Sequence, residues 1–183
     1  MPILDFSQTT EDLQREQKRR WLRRLAVAGG VILLVVALAI LAVPSLERAR
    51  NTGNEASVKG SLRAIVSAQI VFSMDCAGLY APALSMLGRA PGRPLSPDLG
   101  AADTVQKSGY RIWIDATGSP AAQACNGMPA GMAAKSYVVH AEPLSNDGQQ
   151  FFAAASDDAR LFQGPARIQF ENGAPVGNAS AVP

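Results

Sequence analysis

The chain has few of the residues on which catalytic and metal sites depend. It contains a single histidine, His140, and two cysteines. No Cys-x-x-Cys or paired Cys/His spacing is present to hold a metal ion, and there is no phosphate-binding loop or dinucleotide fingerprint. His140 lies in a strand-like run, where we expect a structural role. The sequence therefore predicts no enzymatic activity, no metal and no cofactor.

Net charge is also small. The formal net charge over 183 residues is +2, which argues against nucleic acid as a partner because such binding needs many cationic contacts with phosphates. The positive charge is concentrated just before an apolar segment. The basic residues there are Arg15, Lys18, Arg19, Arg20, Arg23 and Arg24. A cluster in that place is typical of a membrane-orientation signal.

The apolar segment runs from Leu25 to Val43 without a charge. As a helix it is about 28 Å long, close to the roughly 30 Å hydrocarbon core of a bilayer. A buried core helix of this length rarely lacks a polar face. The sequence predicts a basic cytoplasmic tail over residues 1–24, a transmembrane helix over 25–43 and a periplasmic domain over 44–183. The lipid bilayer is the first expected partner.

Flanking charge sets the expected orientation. Basic residues after the segment are more dispersed and mixed with Glu47 and Glu55, so the bias places the N-terminus in the cytoplasm. Trp21 falls at the inner boundary, where an indole ring suits the headgroup zone. Pro44 marks the outer end of the membrane helix, although helical character resumes directly after it.

An export signal is the alternative interpretation of this segment. The stretch RRWL loosely resembles a twin-arginine signal, and Ala37-Leu38-Ala39 has the small residues of a cleavage site. The apolar run is longer and richer in Leu, Val and Ile than a signal core requires. This favours an uncleaved anchor.

A second helical pattern follows the membrane segment, from Ser45 to Met74. Apolar residues recur there at spacings of three and four, which predicts one buried face. The two patterns together predict one long helix, bent or loosened at its glycine-dotted middle over residues 51–61. The apolar positions are Val58, Leu62, Ile65, Val66, Ile70 and Phe72.

Strand-like segments fill the rest of the chain. Alternation and β-branched residues predict strands over 110–115, 135–143, 149–156 and 166–173. The middle two are joined by turn residues around Asn146-Asp147-Gly148, which predicts a hairpin. Gly/Pro-rich loops cover 76–100, with one helical turn over 82–87, and 116–133. The last stretch, from Ala174, looks frayed. A long helix followed by a small antiparallel sheet defines an α+β fold.

Both cysteines, Cys76 and Cys125, lie beyond the membrane helix. An oxidising compartment permits a disulfide between them. Closing that loop contributes up to about 4 kcal/mol in the chain-entropy treatment. Two free buried thiols are the alternative, and we favour the disulfide.

From about Leu25 to Arg167 the chain resembles the type IV pilins and the pseudopilins of type II secretion. The resemblance is carried by an apolar helix ending in Val-Pro and by the segment AVPSLERARNTGNEASVKGSLRAIVSAQIVF. Later segments, CAGLYAPALSMLG, KSGYRIWI and YVVHAEPLSNDGQQFFAAASDDARLF, are similar to those of pilins with a short sheet. The resemblance implies a long N-terminal helix whose outer half packs on an antiparallel sheet.

The chain departs from that family at the assembly signals. In prepilins a peptidase cuts after a glycine just before the apolar run, and a glutamate in the run sets subunit register. Aligned on Pro44, the cut falls near Leu22 and Arg23, and the glutamate position is Val27. Arg23 and Arg24 occupy the place of the apolar start. A fixed basic tail hinders extraction of the helix from the membrane, which predicts a permanently anchored protein.

Three functions follow from these features. The first is a non-enzymatic accessory subunit of a larger bacterial inner-membrane complex, photosynthetic or respiratory, with other integral membrane subunits as partners. The second is an unconventional minor pilin or pseudopilin. The third, ranked last, is an anchored ligand-binding sensor, for which a short tail of about twenty residues leaves no output domain.

Overall fold

The computed structural model describes residues 6–120, 125, 131–145 and 149–182. The chain divides into two compact units, Met1–Ala49 and Arg50–Pro183. Helix α1 spans Phe6–Asp75 and helix α2 spans Leu84–Arg89. The strands are β1 (Thr104–Lys107), β2 (Tyr110–Pro120), β3 (Ala134–Pro143), β4 (Phe151–Ala155), β5 (Leu161–Gly164), β6 (Gln169–Glu171), β7 (Ala174–Val176) and β8 (Ser180–Ala181).

Helix α1 is longer and more regular than the sequence indicates. It passes through Pro44 without ending, because a proline removes only one backbone donor and the surrounding residues hold the helix on both sides. Residues 51–61 are helical throughout, so the predicted loosening of this stretch was wrong. Val58 within this stretch and Leu62 just after it are fully buried, so packing stabilises a stretch that glycine weakens.

Six strands form one antiparallel sheet in the order β1-β2-β3-β4-β5-β8, and β6 and β7 form a separate hairpin. The α+β prediction is confirmed in this coarse form. β3 and β4 pair directly, with His140 opposite Ala153, so the two strands of the predicted hairpin are adjacent; its turn at 146–148 lies outside the described residues. The predicted helical turn at 82–87 corresponds to α2.

The inner face of the sheet, defined by Ile112, Val139, Ala141, Phe152 and Ala154, carries the main core. Within the second unit it packs against the buried stripe of α1 and against α2. The stripe repeats at three and four residues, as predicted, except that Ile70 is 42% exposed. The buried α1 side chains in this core are Val58, Leu62, Ile65, Val66, Ala68 and Phe72.

The outer face of the sheet has a smaller apolar cluster. It joins Val138, Ala153, Ala155 and Phe162 to Ile168, with Phe170 and Ala179 packed beside them. The C-terminal segment therefore contributes to the core. The expectation that it frays from Ala174 was wrong, because β7 pairs with β6 and β8 pairs with β5. The loop predicted over 116–133 was also partly wrong, since β2 extends to Pro120.

Candidate functional site: a membrane anchor and the outer face of the sheet

One helix in the described part of the chain is long and apolar enough to cross a membrane, and its most apolar window is 0% buried. Large apolar side chains are exposed along it, with Leu33 at 72% and Ile40 at 68%. Exposing so much apolar surface to water is unfavourable. The segment therefore has the length and the exposed apolar surface of a candidate membrane span.

The basic residues predicted to orient the anchor all lie on α1, before this segment. Arg19, Arg20, Arg23 and Arg24 are exposed, and Trp21 is 61% exposed. Pro44 lies at the other end, inside the helix. Their effect on orientation stays a prediction. The placement of the four arginines and Trp21 at one end of an apolar helix is what a role in orientation requires.

The predicted disulfide is confirmed. Cys76 and Cys125 are joined, with their Cα atoms 5.2 Å apart and a sequence separation of 49. Cys76 follows the last residue of α1 and is 1% exposed. The bond therefore ties the end of the helix to the segment between β2 and β3.

Two hydrogen-bond pairs hold the chain beside the disulfide. The Gln69 amide donates to the Ala81 carbonyl oxygen at 2.7 Å, and the Ala81 N–H donates to Gln69 Oε1 at 2.9 Å. Tyr80 and Ala134 exchange backbone hydrogen bonds of 2.8 and 2.9 Å. Gln69 is fully buried. The nitrogen and the oxygen of its side-chain amide both have hydrogen-bond partners, so burying this polar group costs little stability.

On the outer face of the sheet, five polar and aromatic side chains come together. Trp113 and His140 stack at 5.1 Å with an interplanar angle of 22°. His140 Nε2 lies 3.3 Å from Asp115 Oδ2. The Arg167 guanidinium lies 5.3 Å from the Trp113 ring centroid and pairs with Glu142. The structure thus places the lone histidine in a paired, stacked environment, in keeping with a structural role.

Burial lowers the pKa of His140, and the nearby Arg167 lowers it further, while Asp115 and Glu142 act in the opposite direction. The imidazole is 11% exposed and the Asp115 carboxylate 58%. Because the Asp115 carboxylate is exposed and screened by water, its effect on the pKa of His140 offsets only part of the effect of burying the ring. The neutral imidazole is therefore the favoured form at neutral pH.

Beside this cluster the outer face forms an open cleft of about 370 Å³, lined in part by Asp115, His140, Arg167, Phe170 and Glu171. No group of three or more His, Cys, Asp or Glu side chains among the described residues is arranged to hold a metal ion. The one sequence signal for this cluster is the alternation that puts Trp113 and Asp115 on the same face of the strand. Arg167 comes from a later segment, and only the fold brings it there.

No protein-family model, curated protein or solved structure matches this chain.

Proposed function

We propose that this chain is a non-enzymatic, single-pass inner-membrane protein that serves as an accessory subunit of a larger membrane complex. The observation that carries the proposal is the exposed apolar part of α1, whose most apolar window is 0% buried, in a chain that continues into a compact disulfide-linked unit. A lipid bilayer and the apolar helices of partner subunits provide the environment this segment needs.

The basic cluster supports a fixed position in the membrane. Arg19, Arg20, Arg23 and Arg24 precede the apolar segment directly, and moving such charges into hydrocarbon is costly. They favour a cytoplasmic N-terminus. The second unit then lies in the periplasm, where its disulfide is chemically favoured. There it serves as a pilin-like docking domain, which rests on the resemblance and on the packing of α1 against an antiparallel sheet.

Co-purification tests the accessory role. Native membranes are solubilised in mild detergent, and the intact chain is isolated through a C-terminal tag, with the untagged chain as control. We expect other integral membrane subunits at fixed stoichiometry. Recovery of a monomer with no stoichiometric partner would count decisively against the proposal.

Orientation is tested separately with reporters fused after residue 183. We expect a reporter that is active only in the periplasm to be active, and one active only in the cytoplasm to be inactive. Changing Arg19, Arg20, Arg23 and Arg24 together to Gln is expected to produce mixed orientations. Changing Arg48 and Arg50 to Gln, beyond the apolar segment, is the control and is expected to keep the orientation.

An unconventional minor pilin or pseudopilin is the second candidate. It is favoured by one observation, the uninterrupted α1 whose outer part packs on the sheet. Filaments sheared from cells distinguish the two. Recovery of the chain in the sheared fraction with filament or secretion components supports the second candidate, and its retention in membranes supports the first.

A further inference from the structure

The four arginines before the apolar segment form an ordered pattern on α1. Arg19 and Arg23 are four residues apart, as are Arg20 and Arg24, so each pair lies on one line along the helix. At 100° per residue the four positions cover an arc of about 140° around the axis. We refer to these four residues as the arginine quartet.

The opposite side of the same helical turns is mainly apolar. Trp21, Leu22 and Leu25 fall there and are 61%, 50% and 49% exposed. Lys18 is the basic residue on this side. The helix therefore presents guanidinium groups on one side and an indole ring with two leucines on the other, directly before the charge-free segment. Amphipathic side chains of this kind belong at the level of the lipid headgroups.

We propose that the arginine quartet binds a phospholipid headgroup carrying two phosphate groups. A guanidinium donates two parallel hydrogen bonds to a phosphate, which a lysine ammonium cannot do in the same geometry. Residues at i and i+4 have Cβ atoms about 5–6 Å apart, so each arginine pair is able to hold one phosphate. Two such pairs side by side match two phosphates on one short headgroup.

A lipid is the source of these phosphates because of what surrounds the quartet. The apolar segment begins at Leu25, directly after Arg24, so acyl chains bound alongside it keep their headgroup at the quartet. Trp21 and Leu22, on the opposite side, hold these turns of the helix at the level of the headgroups. A soluble phosphate has no acyl chains and gains no contact with the apolar segment. The proposal rests on the membrane-anchored function proposed above.

Tryptophan fluorescence tests the site on the full chain. The chain has two tryptophans, so in a Trp113→Phe background Trp21 is the single reporter. The protein is reconstituted into nanodiscs of neutral lipid that contain a small amount of brominated two-phosphate lipid. Matched discs contain brominated single-phosphate lipid at the same total lipid charge and bromine content. Quenching of Trp21 measures the enrichment of each lipid around the helix.

We expect stronger quenching by the two-phosphate lipid than by the single-phosphate lipid. In Arg19→Gln/Arg23→Gln the enrichment is expected to fall by about fivefold for each arginine removed. Arg48→Gln/Arg50→Gln removes the same charge elsewhere on α1 and is expected to leave the enrichment unchanged. Addition of free inorganic phosphate is expected to reduce quenching little.

The outcomes separate this site from the anchor itself. Equal quenching by the two charged lipids, or equal loss in both double variants, would overturn the proposal and leave the anchor intact. Displacement of the lipid by inorganic phosphate at low concentration would also overturn it. Discs made wholly of brominated neutral lipid provide the reference for insertion. If Trp21 is not quenched there, the helix is not in the bilayer, and both the site and the proposed anchoring function are wrong.

Discussion

Trp113 and His140 are direct partners in the register of β2 and β3, and their rings stack with centroids 5.1 Å apart. The stack buries the only histidine of the chain on the face of the sheet that α1 does not cover. Arg167, which follows β5, lies over the same indole ring and donates a hydrogen bond to Glu142 on β3. These contacts attach the C-terminal segment to the sheet.

The buried imidazole predicts a pH dependence of stability. The folded-state pKa of His140 is lowered, whereas in the unfolded chain the pKa is about 6.5. The unfolded state therefore binds more protons at mildly acid pH. The free energy of unfolding is expected to be constant above about pH 6.5, to fall as the pH drops below it, and to level off beneath the folded-state pKa. Urea unfolding of the full chain in detergent measures this between about pH 5 and 8.

His140→Gln is the matched control for the pH prediction. It keeps a polar side chain on β3 and removes the titration. Asp98 and Asp158 have lowered pKa values because of Lys107 and Arg160, but they affect stability only at more acid pH. A slope near pH 6 that persists in His140→Gln would show that another group is responsible.

The disulfide predicts a large effect of reduction. Cys76→Ser/Cys125→Ser opens a loop with a sequence separation of 49, which is expected to cost about 4 kcal/mol of unfolding free energy. Urea midpoints with and without a reducing agent provide the measurement. The double variant is the control, because its midpoint is expected not to respond to the reducing agent. A small response of the unchanged chain would contradict this prediction.

Two isoleucines of α1 allow a matched test of the core. Ile65 is fully buried and Ile70 is 42% exposed. Ile65→Ala leaves a cavity beneath the sheet and is expected to cost about 2–5 kcal/mol. Ile70→Ala removes the same atoms from a partly exposed position and is expected to cost under about 1 kcal/mol. Equal losses of unfolding free energy would mean that α1 does not pack on the sheet as described.

The strands over 110–115, 135–143 and 149–156 could be predicted from the sequence because of their β-propensity, whereas β1 and β5 could not. Tyr110 begins both the first predicted strand and the observed β2, because β-branched and aromatic residues alternate there. β1 and β5 are only four residues each, too short to show a period of two. Their stability comes from neighbouring strands, which is a tertiary effect.

The C-terminal region shows where the prediction missed a local signal. Asn172 and Gly173 both have positive φ, 51° and 78°, as the two-residue turn of a tight hairpin requires. The Asn-Gly pair was visible in the sequence, but the flanking strands have three residues each. The cluster around Trp113 was even harder to predict from the sequence. Its partner Arg167 lies 54 positions away, and no periodic pattern connects them.

The same turn supplies the final prediction. The Asp157 carboxylate occupies the space that a Cβ at Gly173 would fill. Gly173→Ala therefore combines an unfavourable φ with a clash, whereas Gly177→Ala has a similar φ of 88° and open space around it. We expect both to lose stability, and Gly173→Ala to lose about 1–3 kcal/mol more. Adding Asp157→Ala should remove most of that difference, because it removes the carboxyl atoms that come closest to the new Cβ and keeps the φ. Urea unfolding of the variants measures each loss. If the two single variants are equally stable, the β6–β7 turn does not pack against Asp157.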